Sequence, residues 1–441
     1  MTDGGAAPGA EGAELQGSAG IRRSVLPGGV RLVTERMDSA RSATIGVWVP
    51  VGSRDEANGH FGSTHFLEHL LFKGTGRRTA MDIAAAFDQV GGEANAATSK
   101  EHTCYFARVL DADQPMALDV LMDMVTSAAI DPGEFETERG VILEELAMTE
   151  DDPHEVAHEA FDAVVYGESS LARPIGGTPA AIRSVTRDAV WEHYREHYRR
   201  DNLVVTAAGN VDHQSLAALL EAALAAGGWG AEDGGAGGET PAAARRRPTS
   251  SSVALPAEGS ERRLVRPVEQ AQILIGCEGL RAMDERRHAM GVLNAVLGGG
   301  MSSRLFQEIR ERRGLAYSTY SFAGGHADAG SFGVYAGCAP AVAEQVAELL
   351  EAQWDQLARG GITDGELDRA KGQLSGNLVL GMEDSYSRMA RLGRAEILSG
   401  ELPTVEELLA RVRAVTSGEV AGLAQDLASR PRSRVWMTPA A

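Results

Sequence analysis

His65, Glu68 and His69 hold the first, fourth and fifth places of the run HFLEH. Residues three and four apart stack on an α-helix, so the three side chains share one face. Neutral imidazoles are good ligands for a divalent metal. A carboxylate beside them can take a proton from water, which is the arrangement for zinc-assisted hydrolysis. Two ligands do not complete such a site. Catalytic zinc takes three protein ligands and keeps a fourth place open, so a further Cys, His, Asp or Glu must come from another element.

The helical run ETERGVILEEL offers Glu138, Glu144 and Glu145. Glu138 and Glu145, seven apart, share a face, while Ile142 and Leu146 point towards a core. Glu144 lies about 100° around the helix from Glu145, so the two cannot face one ion equally well. Spacing alone leaves the choice between them open.

HFLEHLLFKGT followed by ERGVILEEL resembles the pitrilysin-type (inverzincin) zinc metallopeptidases, most closely the mitochondrial-processing-peptidase-like branch, here as a bacterial-type single chain. The resemblance implies Zn²⁺ held by His65, His69 and Glu145, the last 76 residues past the second histidine. It implies that Glu68 is the general base and that Glu138 orients a ligand from behind. The stretch from Glu93 to Thr98 is then an edge strand on which a peptide substrate lies as an added strand, Asn95 and Ala96 matching the family's Asn-Ala pair. Phe72 is expected to line the pocket just after the cut. Glu155 and Glu159, four apart on the next helix, are expected to read an arginine near it, with solvated helix charges as the plain alternative.

In LGGGMSSRLFQEIRERRGLAYSTYSF no Gly-Lys-Ser/Thr follows Gly298–Gly300, so a phosphate loop is a poor reading. Arg310 and Tyr317 match a family Arg/Tyr pair that reaches the bound peptide, where their donors could hold a carbonyl or a developing oxyanion. The plain alternative puts Arg310 in a surface salt bridge and Tyr317 in the core. The remaining histidines read as non-ligands. His60 belongs to a loop, His154 and His158 to the surface, and His193 and His197 to a packing face with Tyr194 and Tyr198.

The elements that must position these residues read as follows. VLPGGVRLVTERM is a hairpin, SATIGVWVPVGSR an alternating strand, TAMDIAAAFDQVGG a helix stopped by glycines, and EANAATSKEHTCYFARVL two strands about a Ser-Lys turn. The second half repeats the plan, strand EQAQILIGCEGL leading to helix HAMGVLNAVLGG, but lacks the histidine motif and is expected to bind no catalytic metal. The fold class is α+β. Two homologous α/β-sandwich halves, each a mixed, mostly antiparallel sheet packed against helices, are joined by a linker and enclose a chamber. Residues 1–20 read as a disordered tail, 21–226 as the zinc-binding domain, 227–259 as a Gly/Ala/Ser-rich linker and 260–441 as the second domain.

Formal net charge is −20, which disfavours a nucleic-acid partner and suits basic peptides. Cys104, Cys277 and Cys338 are too few and too scattered for a disulfide framework, which points to a reducing cytoplasmic setting. No apolar run is long enough for a membrane span. Because one chain holds both the metal half and the Arg/Tyr half, a homodimer is expected, or a heterodimer with a non-catalytic paralogue. The function expected is a zinc-dependent endopeptidase acting on short or unfolded peptides. The alternative is a structural or peptide-binding subunit of a heteromeric processing complex.

Overall fold

The computed structural model describes residues 14–16, 20–230 and 255–440. Its first sheet contains β1 (Glu14–Gln16), β2 (Ile21–Val25), β3 (Arg31–Arg36), β4 (Ser42–Val49), β5 (Glu93–Thr98), β6 (Thr103–Leu110) and β7 (Val204–Gly209). These lie in the order β1-β2-β3-β7-β4-β6-β5. The second contains β8 (Glu261–Val265), β9 (Ala271–Glu278), β10 (Ala316–Gly325), β11 (Gly330–Cys338) and β12 (Ser433–Thr438), in the order β10-β11-β9-β12-β8. The run β3-β7-β4-β6-β5 matches β8-β12-β9-β11-β10 strand for strand. In each, the first pair is parallel and the rest antiparallel. The internal repeat read from the sequence is therefore a repeat of topology.

Each half lends a helix to the other. Helix Pro153–Tyr166, encoded before β7, lies on β9 and β12. Its Val156, Ala157, Ala160, Phe161 and Val165 form an apolar stripe buried with Leu274, Val435 and Met437. In return, helix Ser385–Leu398 lies on β3, β4 and β7. It buries Met389, Ala390 and Ile397 against Trp48, Val204 and Ala208.

This exchange corrects one expectation. β4 does not alternate between buried and exposed residues, because both its faces are covered. Ala43, Ile45, Val47 and Val49 enter the first core, and the opposite face meets the borrowed helix. Close approach there requires glycine. A Cβ at Gly46 would stand 2.3 Å from Met389 Sδ, and one at Gly393 2.1 Å from Trp48. Charges pin the same contact. Glu396, fully buried, lies 2.8 Å from Arg23 and 3.2 Å from Arg31, and Glu35 bridges Arg388 and Arg391.

The hairpin at Pro27–Gly29 and the β5–β6 pair form as read, with β5 at the sheet edge. Residues 14–16, assigned to the tail, instead pair as β1 with β2. The rest of that tail up to residue 19, and residues 231–254 of the linker range, lie outside the described residues. The three cysteines are buried and unpaired with one another. Among the described residues no helix is long and apolar enough to cross a membrane.

Candidate active site

Helix Ser63–Leu71 has two faces with different tasks. Phe66, Leu67, Leu70 and Leu71 are wholly buried in the first core, while His65, Glu68 and His69 sit half-buried on the other side. Its N-terminus lacks a capping side chain of its own. Gly62, at φ +89, opens the helix, and buried Glu56 accepts from the N–H groups of Gly62 and Thr64, each at 2.8 Å. Burial pushes the Glu56 carboxyl up to about 7, against the lowering effect of those hydrogen bonds. The sequence carried no sign of this role, since the cap lies six residues before Gly62 in a polar loop.

The second element is helix Pro132–Glu150, capped by Asp131 with Pro132 at its first turn. Phe135 stacks on Phe66 with ring centroids 4.4 Å apart, locking the two helices face to face. Glu138 and Ile142 are buried on that side, as the seven-residue spacing of Glu138 and Glu145 anticipated. Glu145, not Glu144, comes to the histidines. His69 Nε2 lies 3.4 Å and His65 Nε2 3.8 Å from Glu145 Oε2. Glu144 is exposed.

These donors fit a zinc ion. Atoms about 2.1 Å from a tetrahedral zinc stand about 3.4 Å from one another. The three here lie within 4.8 Å of one another, and among the described residues no other group of three His, Cys, Asp or Glu side chains converges so closely. Glu138 Oε2 lies 3.0 Å from His69 Nδ1 and pairs on its other oxygen with Lys73, which fixes the ring so that Nε2 faces the site. His65 is held neutral. Burial, then the neighbouring His69, push it down to about 4 against the pull of Glu145. Its Nδ1 is buried without a hydrogen-bond partner, beside Gly176 of the ARPIGGT loop, where a Cβ would stand 3.7 Å away. Glu145 keeps 44% of its side chain exposed, so the place the three surround opens to solvent.

Glu68 has one hydrogen-bond partner that sequence reading missed, Thr98 Oγ1 at the end of β5. On the same strand Asn95 is exposed, and its Oδ1 accepts from Ala96 N at 2.8 Å. Phe72 ends helix Ser63–Leu71 and packs on the first core, its ring 6.4 Å from Tyr105. His60 is the loop residue expected, 3.1 Å from Ala189 O. His193 is buried and lies 3.2 Å from Thr64 Oγ1, in keeping with a packing face.

Glu155 and Glu159 are exposed, and Glu155 lies 3.5 Å from His154. The neighbouring His154 and His158 are not plain surface residues. His154 Nε2 and His158 Nε2 both meet the Tyr320 hydroxyl of β10, at 2.6 and 2.8 Å, across the junction of the halves. A hydroxyl has one proton, so it donates to one ring and accepts from the other. Among the described residues Arg310 makes no salt bridge, and Tyr317, 77% exposed, is not in the core, so the plain alternative is not what these residues show. The Arg310 guanidinium lies 4.3 Å over the Tyr317 ring and donates to Tyr317 O at 2.9 Å. The pair meets each other, and among the described residues no contact links it to the three converging donors.

The family profile described as "Insulinase (Peptidase family M16)" matches residues 31–179, and that described as "Peptidase M16 inactive domain" matches residues 184–374. The chain is 49% identical over 410 residues to an uncharacterized zinc protease of Streptomyces coelicolor, covering 93% of this chain and 88% of that one. It is 37% identical over 420 residues to the uncharacterized zinc protease YmxG of Bacillus subtilis, covering 95% and 98%. Its fold is that of a peptidase M16 inactive domain from Pseudomonas fluorescens, with TM-score 0.85, 18% identity and coverage of 96% and 98%. A protease from Helicobacter pylori has the same fold at TM-score 0.85 and 22% identity, with coverage of 95% and 99%. Two profiles in tandem, close relatives along nearly the whole length and a shared two-sheet architecture place the chain in peptidase family M16, the insulinase/pitrilysin-like peptidases.

Proposed function

We propose that the chain is a zinc-dependent endopeptidase that cuts short or unfolded peptides laid as an added strand against β5. The observation that carries this reading is the convergence of His65, His69 and Glu145, with Glu68 on the same helical face beside them. A zinc ion held there would supply Lewis acidity, polarising a water and the scissile carbonyl. The protein's own part is then proton handling and alignment. Glu68 takes the proton of the attacking water and delivers it to the departing amine. Glu138 and Lys73 keep His69 turned to the site.

Unpaired main-chain groups on the edge of β5 bind the peptide backbone with little regard to its side chains. Asn95 and Ala96 fix its register, and Phe72 borders the position after the cut. Arg310, half-buried and stacked on exposed Tyr317, reaches the substrate with it from the second half, which lacks the histidine motif. Glu155 and Glu159 favour basic residues near the cut, as does the net charge of −20. A closed chamber, in a homodimer or a heterodimer with a non-catalytic paralogue, excludes folded proteins. The complete set of His65, Glu68, His69 and Glu145 argues against a purely structural subunit.

The test is cleavage-site profiling of a peptide library by the purified chain, with and without chelator, alongside zinc analysis. Chelator-sensitive cleavage with one zinc per chain is expected. Absent or chelator-indifferent cleavage would overturn the reading.

A further inference from the structure

We propose that Thr98 is a positioning residue for Glu68, tying the base to the strand that receives the substrate. This rests on the peptidase reading above. The Thr98 hydroxyl has one proton and gives it to Glu68 Oε2, and an ionised carboxylate can only accept. Bonds to a charged acceptor are the stronger kind. Alternation along β5 puts Ala94, Ala96 and Thr98 on one face. The two alanines pack on the first core, and Thr98, one step further, meets the metal helix.

The hydroxyl is held by a sheet, since Thr98 pairs with Thr103 of β6 in regular register. Glu68 is half-buried and within reach of water, so the bond does not rescue a stranded charge. Its consequence is direction. With Oε2 engaged, Oε1 is the oxygen left for the attacking water. A peptide added to the free edge of β5 and the base that serves it thereby share one frame.

Thr98→Val keeps the β-branched shape and loses the donor, and Thr98→Ser keeps the donor. Thr98→Val should lower kcat about 10- to 100-fold with KM, zinc content and Tm unchanged, and Thr98→Ser should restore kcat to within about threefold. In crystals of the zinc-free Thr98→Val protein, Glu68 should leave its place while His65 and His69 stay. An unmoved Glu68 overturns the proposal whether or not the wild type hydrolyses peptides. So does an undiminished kcat, a rise in KM alone, or loss of zinc. A wild type without chelator-sensitive cleavage sinks the peptidase reading separately, and the position of Glu68 still decides the role of Thr98.

Discussion

The two halves share five strands in one order and orientation, yet among the described residues only one brings His and Glu side chains together. After β4 comes a helix whose third, sixth and seventh residues are His65, Glu68 and His69. After β9 comes helix Arg287–Leu297, whose residues at the same places are Ala289, Val292 and Leu293, all buried. The second α-helix after each edge hairpin differs in the same sense. In the first half it presents Glu138 and Glu145, and in the second, helix Asp364–Gly381 buries Ala370 and packs Leu374 against the second core. A polar face between two helices is thus a property of side chains. Where the places of His65, Glu68 and His69 are held by Ala289, Val292 and Leu293, the same backbone plan closes into core.

If that contrast is right, changes in the first half should act on chemistry and changes elsewhere on stability or substrate contact. Glu68→Gln should reduce hydrolysis about 100- to 10 000-fold with zinc retained, read by kcat and metal content together. Full activity would end its assignment as base. Glu396→Ala, which removes the buried carboxylate shared by buried Arg31 and half-buried Arg23 at the exchanged helix, should cost about 3–5 kcal/mol in a denaturant titration and leave zinc binding alone. Glu145→Gln should weaken zinc binding about 100-fold or more, and Glu144→Gln hardly at all. The reverse order would exchange the ligands. Arg310→Ala should lower kcat/KM about tenfold without loss of zinc, which would show that the second half touches the substrate.

The smallest effect concerns the junction in acid. Burial, then His154, push His158 down to about 4, against the pull of Glu155. An imidazole with a depressed folded pKa binds its proton more readily unfolded, so its contribution is complete above about pH 6.5 and is lost between there and about 4. His158→Gln should make the fall of Tm over that range shallower. An unchanged slope would remove His158 from the account.

Much of this was legible in the sequence because it depends on local periodicity. The spacing of His65, Glu68 and His69, and of Glu138 and Glu145, is a statement about one helix at a time, and both helices present those faces. The hairpin and the β5–β6 turn follow from Pro-Gly-Gly and Ser-Lys placement. What escaped depends on distant pairing. Thr98 meets Glu68 across 30 residues, His154 and His158 meet Tyr320 across more than 160, and β4 loses its alternation to a helix encoded over 300 residues later. Glu56 escaped for a different reason, since a remote carboxylate capping a helix leaves no spacing rule.

The swapped helices also bear on any attempt to dissect the protein. A fragment of residues 20–230 would retain His65, Glu68, His69 and Glu145, yet the Val156–Val165 stripe and the outer face around Trp48 would both lie bare. Such exposed greasy surfaces favour clumping over autonomous folding. The first half is therefore not a portable module, since the second covers the apolar faces that it would otherwise leave open.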